Sequence, residues 1–486
     1  MQESKIFLSA VAAAVFGACS AAAASPLEQV TTADAVSPGG MGMSEVFGGH
    51  GQFNVVCDYS HTLADDPIMM FGRPGEAMVH DFFGNVHADA FSTADTLLAK
   101  PQTTCTSKSD GSSYWAPQMR HANTGEIIKP FMMKTYYRNE TTDYPVVPFP
   151  KGLQLLVGDH HSTQAKRGVL YFCKNNADGG SYYTDVPASC PLFDGEKAQF
   201  NLSFEFPNCW DGVNFKPVVG GGHHSRRNAT YDVNGVCPAN YPIKIPQLQL
   251  NIGYYLPGNG DLSDLQLSMN PQMARGVGLP MWGNLYTAHA DFFNAWRTDA
   301  MDFAVKFCLN RGVPCDKEIP AVHAEAIENA QVIGGEFADT NYAGAKQMVT
   351  QTNNTHQPKI GYMKFRLPDD DTLLNAPYDD VVLRFWGKNT GGHKNHMAYI
   401  YAVQPNWNEK TLTYNNAPAC GGKYVARTWI GYSDQAVYRS SDSVMEVVKD
   451  ALAKGQKEVA FCVISEDVET SLGTREGGSP GMLFFK

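Results

Sequence analysis

Two histidine–aspartate pairs, His80-Asp81 and His289-Ala-Asp291, are the residues of this chain whose types and spacing suit chemistry. An imidazole titrates near neutrality, and a neighbouring carboxylate can orient it or raise its pKa, so such a pair can take and return a proton. Two carboxylates on separate loops, such as Asp81 and Asp291, can instead cleave a glycosidic bond if they are held at the right separation. Asp and Asn oxygens with few histidines also suit a divalent cation; no other cofactor is evident, and spacing alone does not single out metal ligands. The same dipeptides serve as hydrogen-bonded struts at loop corners. Acid–base, cation-binding and structural readings all stay open at the level of sequence.

Around these pairs lie side chains suited to a sugar. Tyr114, Trp115, Tyr137, Arg138, Trp210, Asp211 and Asn294 are the candidate binding residues. Aromatic faces stack on sugar C–H surfaces, while carboxylates, amides and guanidinium groups read hydroxyls. Each has a plainer alternative. Cys209-Trp210 can be a core tryptophan on a disulfide, Tyr136-Tyr137-Arg138 an alternating strand, and His160-His161 and His223-His224 surface loops. There is no G-x-S-x-G elbow, P-loop, H-E-x-x-H or EF-hand loop, which argues against serine esterases, nucleotide hydrolases and zincins.

The elements that must position these residues read as strands. Gln247-Leu-Gln-Leu-Asn-Ile252 alternates with period two, and Gly152–Val157 and Val169–Phe172 are short apolar runs between turn residues. One helix is expected from His289 to Leu309, where Phe292, Phe293, Trp296, Ala300, Phe303, Ala304 and Phe307 make an apolar face. A linker near Asp316–Val322 leads to a second block of strands at Tyr362–Leu367, Asp380–Trp386, Met397–Val403 and Val459–Ile464, with a short helix at Ser443–Lys454. Strands at that spacing suggest a sandwich. The fold class is mainly β. An N-terminal β-rich domain over 51–315, with long loops and at least one packed helix, precedes a C-terminal β-sandwich over 325–486.

The first 24 residues have the layout of a signal peptide, an Ala-rich apolar run ending in small residues, and 25–50 read as a linker. A lipid anchor through Cys19 is the less favoured alternative. No later stretch is long and apolar enough to be a transmembrane segment. Ten cysteines remain, and an even number in an exported chain reads as disulfides, with Cys308/Cys315 and Cys420/Cys462 as the expected local pairs. A net charge of −11, with no basic stripe, excludes nucleic acid as a partner. It leaves room for a local basic pocket and an acidic ligand.

Several motifs occur in an order that resembles the secreted DUF1996 family of fungi and bacteria. They are Cys57-x-Tyr-Ser-His61, Asp65-Asp-Pro-Ile68, the His80-Asp-Phe-Phe-Gly-Asn85 turn, Tyr114-Trp115-x-Pro117, Cys209-Trp-Asp-Gly212 and His289-x-Asp-Phe-x-Asn-x-Trp296. The resemblance covers about 52–315 and implies a glycan- or wall-associated protein, without a settled chemical role. Two departures stand out. The family's second histidine, two residues before His80, is Met78 here, and its His-x-Ser-His segment is His223-His224-Ser225-Arg226. In the second block, Ala338–Tyr342, Trp407–Thr413, Asn416-x-Pro418 and Arg475-Glu476 resemble the DNRLRE domain. That group includes carbohydrate-binding module family 96, which implies a β-sandwich that binds acidic polysaccharide. Lys364, Arg366 and Arg384 alternate on strands and can face an anionic glycan or water.

Together these readings describe a secreted carbohydrate-active protein. It binds a polysaccharide, with an acidic one in view, and cleaves it as a hydrolase or lyase using His80, Asp81, His289 and Asp291. The alternative is a non-catalytic wall or matrix polysaccharide-binding protein, so whether the chain is an enzyme is left open.

Overall fold

The computed structural model describes residues 51–486, apart from 141–142, 176–178, 193–194, 218–226, 258–259, 275–276, 313, 317–318, 375, 377, 393 and 432–436. The expected leader, linker and lipid-anchor cysteine, and the His223–Arg226 departure, therefore lie outside the described residues. The chain is mainly β, as its strand patterns predict.

Two sheets build the N-terminal body. One has seven strands, ordered Gly180–Tyr183, Val169–Lys174, Lys197–Glu205, Gln247–Pro257, Met132–Asn139, Gly51–Cys57 and Pro314–Asp316. The other has five: β1 (Tyr59–Leu63), β2 (His80–Gly84), β3 (Ser113–Pro117), β4 (Gln154–Gly158) and β5 (His289–Phe293), in the spatial order β1-β2-β3-β5-β4. The side chains of a strand alternate between its two faces. One face of the five-stranded sheet carries Phe83, Tyr114, Leu155, Val157 and Phe292 into a core shared with Phe53, Phe200, Leu202, Phe204, Leu248 and Leu250 of the seven-stranded sheet. The other face carries Phe82, Trp115 and Phe293, which pack with Ile68, Ala88 and Leu97 under the loops that cover it.

The helix expected from His289 starts later than its apolar pattern suggests. His289–Phe293 is the strand β5, and the helix runs only over Thr298–Ala304, followed by a π turn at Val305–Leu309. Phe292 and Phe293 are consecutive, so they bury on opposite faces of the sheet, a pattern that a helical reading absorbs as easily as a strand.

In the C-terminal body, a continuous path of strands runs through the long strand Val322–Ile333. Its first residues pair with Met482–Phe485 and its last with Lys359–Arg366, so it belongs to both halves of the sheet. The halves enclose Phe365, Phe461, Leu383, Phe385 and Phe485. The expected short helix is present at Met445–Ala453. A seam packs the two bodies together: the Phe303 and Phe484 rings lie 4.8 Å apart edge to face, and Lys306 pairs with Glu325 at 3.0 Å.

Five disulfides join Cys57–Cys105, Cys173–Cys190, Cys209–Cys237, Cys308–Cys315 and Cys420–Cys462, including both expected local pairs. They are consistent with an extracellular protein. Among the described residues, no helix is long and apolar enough to cross a membrane.

Candidate functional site

The outer face of the five-stranded sheet forms the floor of a cleft of about 910 Å³. Strand register explains which side chains meet there. Trp115 of β3 lies opposite Phe82 of β2 on one side and Asp291 of β5 on the other. Both neighbours run antiparallel to β3, so they are parallel to each other. Two residues earlier on each strand stand His80, opposite Pro117, and His289. Side chains two apart share a face, which puts His80, His289 and Asp291 side by side with only a proline between the two imidazoles. The His80 and His289 rings are 5.8 Å apart. Ligand atoms of His80, His289 and Asp291 all lie within 4.8 Å of one another.

The alternation that gathers these three excludes Asp81. It points from the opposite face of β2 into the core between the sheets, where its Oδ1 accepts from Thr62 Oγ1 at 2.6 Å and Gln118 Nε2 at 3.4 Å. Burial there raises its pKa to about 6. The expected Asp81–Asp291 carboxylate pair is therefore not formed at the cleft.

A different aspartate takes that place. Asp66 lines the cleft, with Oδ1 accepting the backbone N–H groups of Ile68 and Met69, each at 2.9 Å. Burial holds its carboxyl at a pKa of about 6, against the pull of those two N–H groups. Asp291 is raised well above the carboxylate range, by burial first and by repulsion from Asp66 second. The two buried carboxyls line the same cleft, and each makes the other harder to ionise.

Both imidazoles are held in one tautomer. His80 Nδ1 lies 2.9 Å from the backbone oxygen of Asp65, and His289 Nδ1 lies 2.9 Å from that of Thr287. A carbonyl oxygen can only accept, so each Nδ1 carries the proton and each Nε2 presents a lone pair. Burial lowers the pKa of His80 to about 3 and of His289 to about 4, so both are neutral. Among the described residues, no donor reaches His80 Nε2 or Asp291 Oδ2.

The rim is mainly basic. Lys166, Arg167, Arg73 and Arg227 line it with His160, His161 and Asp159. Arg227 is fixed by donating Nη1 to Leu156 O at 3.0 Å and Nη2 to Gly158 O at 2.7 Å. Gly158 ends β4 with φ +83°, and a Cβ there would stand 2.6 Å from the His289 Cα. Only glycine lets β4 and β5 close up at this corner. Met78 lines the same cavity.

The expected binding residues are elsewhere. Tyr114 and Tyr137 are fully buried and joined in a hydrogen-bond chain: Tyr114 donates to Asp110 Oδ2 at 2.7 Å, and Trp296 Nε1 donates to the Tyr137 hydroxyl at 2.9 Å. Trp115 is buried on the outer face of the sheet, beneath the covering loops and against Phe82. Arg138 lies on the seven-stranded sheet, over the Tyr136 ring and bonded to Gln52 at 3.0 Å. Trp210 donates to Asn214 O at 2.8 Å, and Asp211 caps the same turn by accepting from Val213 and Asn214 N–H. Asn294 ties Pro150 O at 2.8 Å and Trp296 N at 3.2 Å. Each is engaged in the scaffold, by a hydrogen bond or, for Trp115, by packing alone, since its Nε1 has no partner among the described residues. In the C-terminal body, Lys364 is buried on Glu328 at 2.9 Å, Arg384 is buried over the Tyr438 and Phe484 rings, and Arg366 pairs with Glu458. That leaves Arg366 as the one of the three exposed to solvent.

Residues 66–296 match the family model described as a domain of unknown function, DUF1996, and residues 320–483 match carbohydrate-binding module family 96. The first match falls within the N-terminal body and the second within the C-terminal body. No curated protein matches it. The module supports carbohydrate binding by the whole chain, and the His80–His289–Asp291 cluster falls within the DUF1996 match.

Asp66, His160 and Arg227 are site residues that the sequence reading passed over. Asp66 stood in a noted motif, and His160 in a dipeptide read as surface loop. For Asp66 and His160 the signal was position just after the ends of β1 and β4, and it becomes legible only once the order of strands in the sheet is known.

Proposed function

We propose that this is a secreted protein whose C-terminal module holds a polysaccharide, an acidic one by preference, while the cleft of the DUF1996 domain cleaves it. The observation that carries the reading is the unpartnered, buried Asp291 Oδ2 in the lining of a cleft of about 910 Å³, with the unpartnered His80 Nε2 close by, joined in one chain to a region that matches a carbohydrate-binding module. A lone pair or carboxylate left bare in the interior costs about 1–3 kcal/mol, so folds keep them where something is bound or transformed.

In this reading, Asp66 is the proton donor toward the glycosidic oxygen. Its Oδ1 is tied to two backbone N–H groups, which leaves the other oxygen for the proton. His289, neutral and with Nε2 unprotonated, supplies the basic side of the reaction. Lys166, Arg167 and Arg227 line the rim and favour an anionic chain. Hydrolysis and β-elimination both need such an acid and base, and they differ in product: elimination leaves an unsaturated uronate.

The test incubates the protein with neutral and acidic polysaccharides and follows both new reducing ends and absorbance from unsaturated ends. Cleavage of an acidic polymer, lost in Asp66→Asn, is the expected result. Retention on a polymer without cleavage of any substrate would select the second reading, a non-catalytic matrix binder. That reading is favoured by Met78, which occupies the cleft where the family pattern has a histidine.

A further inference from the structure

We infer that His80, His289 and Asp291 form a binding site for one divalent first-row transition ion, of the zinc or manganese kind. The inference deepens the glycan-cleavage reading by naming what the cluster holds, and it rests on that reading only for the site's role, not for its existence.

The argument is one of donors and acceptors. Each Nδ1–H is committed to a backbone carbonyl, of Asp65 for His80 and of Thr287 for His289. Each Nε2 is therefore a bare acceptor, and Asp291 adds a carboxylate oxygen. The three ligand atoms lie within 4.8 Å of one another, yet no hydrogen bond joins His80 Nε2 or Asp291 Oδ2 to a neighbour among the described residues. His80 has no solvent exposure and Asp291 almost none, yet His80 Nε2 and Asp291 Oδ2 have no protein partner among the described residues. An ion fits this arrangement better than a structural hydrogen bond does.

The outer partners match as well. An imidazole that donates its other N–H to a backbone carbonyl is the usual support for a metal-ligating histidine, because it fixes the ring and raises its basicity. Two imidazole nitrogens with one carboxylate suit zinc, manganese or iron and leave coordination positions open. Calcium prefers six to eight oxygen ligands, and two nitrogens do not provide them. The ligand atoms must draw in by about 1 Å to meet metal–ligand bonds of about 2.0–2.2 Å. The open positions face the cleft through His289 and Asp291, with His160 5.8 Å beyond the His289 ring. An ion there would polarise a water beside the Asp66 carboxyl. With His289 Nε2 taken up as a ligand, that water would supply the basic side of the reaction in its place, and Asp66 would remain the proton donor.

A neighbouring trio, Asp159, His160 and His161, is the competing arrangement. It sits on the exposed rim and has no bare buried atom, and Asp159 is already paired with Lys166 at 3.4 Å.

The experiment uses full-length protein made without a histidine tag. Bound metals are counted by mass spectrometry, and the chelator-stripped protein is titrated with Zn²⁺, Mn²⁺ and Ca²⁺ by calorimetry. We expect one equivalent of Zn²⁺ or Mn²⁺, and no comparable Ca²⁺ binding. His289→Ala and Asp291→Asn should each weaken binding by about 100-fold, at or beyond the upper end of the loss from removing an outer hydrogen-bond partner. Asp81→Asn, on the opposite face of the same strand, and His161→Ala should bind as the parent does. Absence of a stoichiometric ion in the parent overturns the inference, as does loss that follows His161 instead of His289. Because metal is counted directly, the outcome is separate from cleavage: a protein that binds the ion but cleaves nothing keeps the site and loses the enzyme reading, and one that cleaves without any ion does the reverse.

Discussion

Two polar clusters, one in each body, are built from the same kinds of residue and finished in opposite ways. In the C-terminal module, Lys364 donates to Glu328 at 2.9 Å and to the Trp407 carbonyl, Arg475 pairs with Glu409 at 2.8 Å and Glu476 at 2.7 Å, and Asn329 bridges to Glu476 at 2.9 Å and accepts from the Arg475 N–H at 2.9 Å. Donors meet acceptors, and each of these charges has its counter-charge. In the cleft, His80, His289, Asp291 and Asp66 bring acceptors and carboxyls together without donors between them. A satisfied cluster fixes a fold; a cluster with bare lone pairs holds free energy that a ligand can release. The Arg475-Glu476 motif, which reads from sequence as a candidate sugar contact, belongs to the first kind.

The largest effect that would break this contrast is in the module. Lys364→Ala should leave the partly buried Glu328 without its cation, empty the buried site of the lysine stem, and together cost about 3–5 kcal/mol of stability. Urea unfolding followed by tryptophan fluorescence measures it. A loss below about 1 kcal/mol would mean that the pairing is not structural and would return Lys364 to the list of ligand contacts. A slightly smaller effect concerns Asp110, a third buried acid, whose two oxygens accept from Ser112 N–H at 3.1 Å and the Tyr114 hydroxyl at 2.7 Å. Burial raises its pKa from 3.8 to about 7. A carboxyl whose pKa is raised on folding adds stability that is fully present below about pH 4 and lost as pH climbs through about 7, because the folded state holds the proton that the unfolded state releases. Asp110→Asn removes that loss. Its unfolding free energy relative to the parent should improve by on the order of 2–4 kcal/mol between pH 4 and pH 8. Parallel pH profiles for the two proteins would show that Asp110 is ionised inside the fold.

On the cleft side, Asp66→Asn should reduce polysaccharide cleavage by about 100-fold, equivalent to about 2.7 kcal/mol, with the urea midpoint little changed. The amide oxygen can still accept from Ile68 and Met69, so the turn survives while the proton is lost. An equal fall in the midpoint and the rate would make Asp66 a strut like Asp211 and dissolve the distinction between the two clusters.

How much of this was readable in the chain depends on which physical rule carried the signal. Strand positions came from alternation, a local property, and Gln247–Pro257, Lys359–Arg366 and Glu458–Ser465 fall where their patterns predict. His80, His289 and Asp291 were legible as residue types. Their meeting depends on β2 and β5 flanking β3, a pairing between residues some 200 positions apart that no local pattern encodes. Asp81 shows the same limit in reverse. Beside His80 in sequence, it is on the far side of the sheet in space, because neighbours on a strand face opposite ways. Tyr114, Tyr137 and Trp210 misled for a related reason: an aromatic ring with a polar tip suits a sugar and a core equally well, and only burial decides between them.

The smallest expected effect bears on where the module meets its polymer. The charges of its Lys364–Glu328 and Arg475–Glu476 cluster are spent on each other, which turns attention to other surfaces of the module. Ala426–Ile430 alternates buried and exposed, which turns Arg427 and Trp429 outward. Trp429 is 54% exposed, unusual for the largest apolar side chain. Across the ladder it faces Met397, and Arg427 faces Tyr399, whose ring lies 5.3 Å from that of Tyr424. These aromatics line one face near the sheet edge, and none of them is needed to fill the core. Trp429→Ala should leave unfolding unchanged and weaken retention on the polysaccharide by about 3- to 10-fold, as loss of one stacking ring of about 0.5–1.5 kcal/mol requires. Affinity electrophoresis in a gel containing the polymer reads that shift. If Trp429→Ala migrates as the parent does while Asp66→Asn is retarded less, the cleft supplies the grip as well as the chemistry, and the division of labour between the two bodies fails.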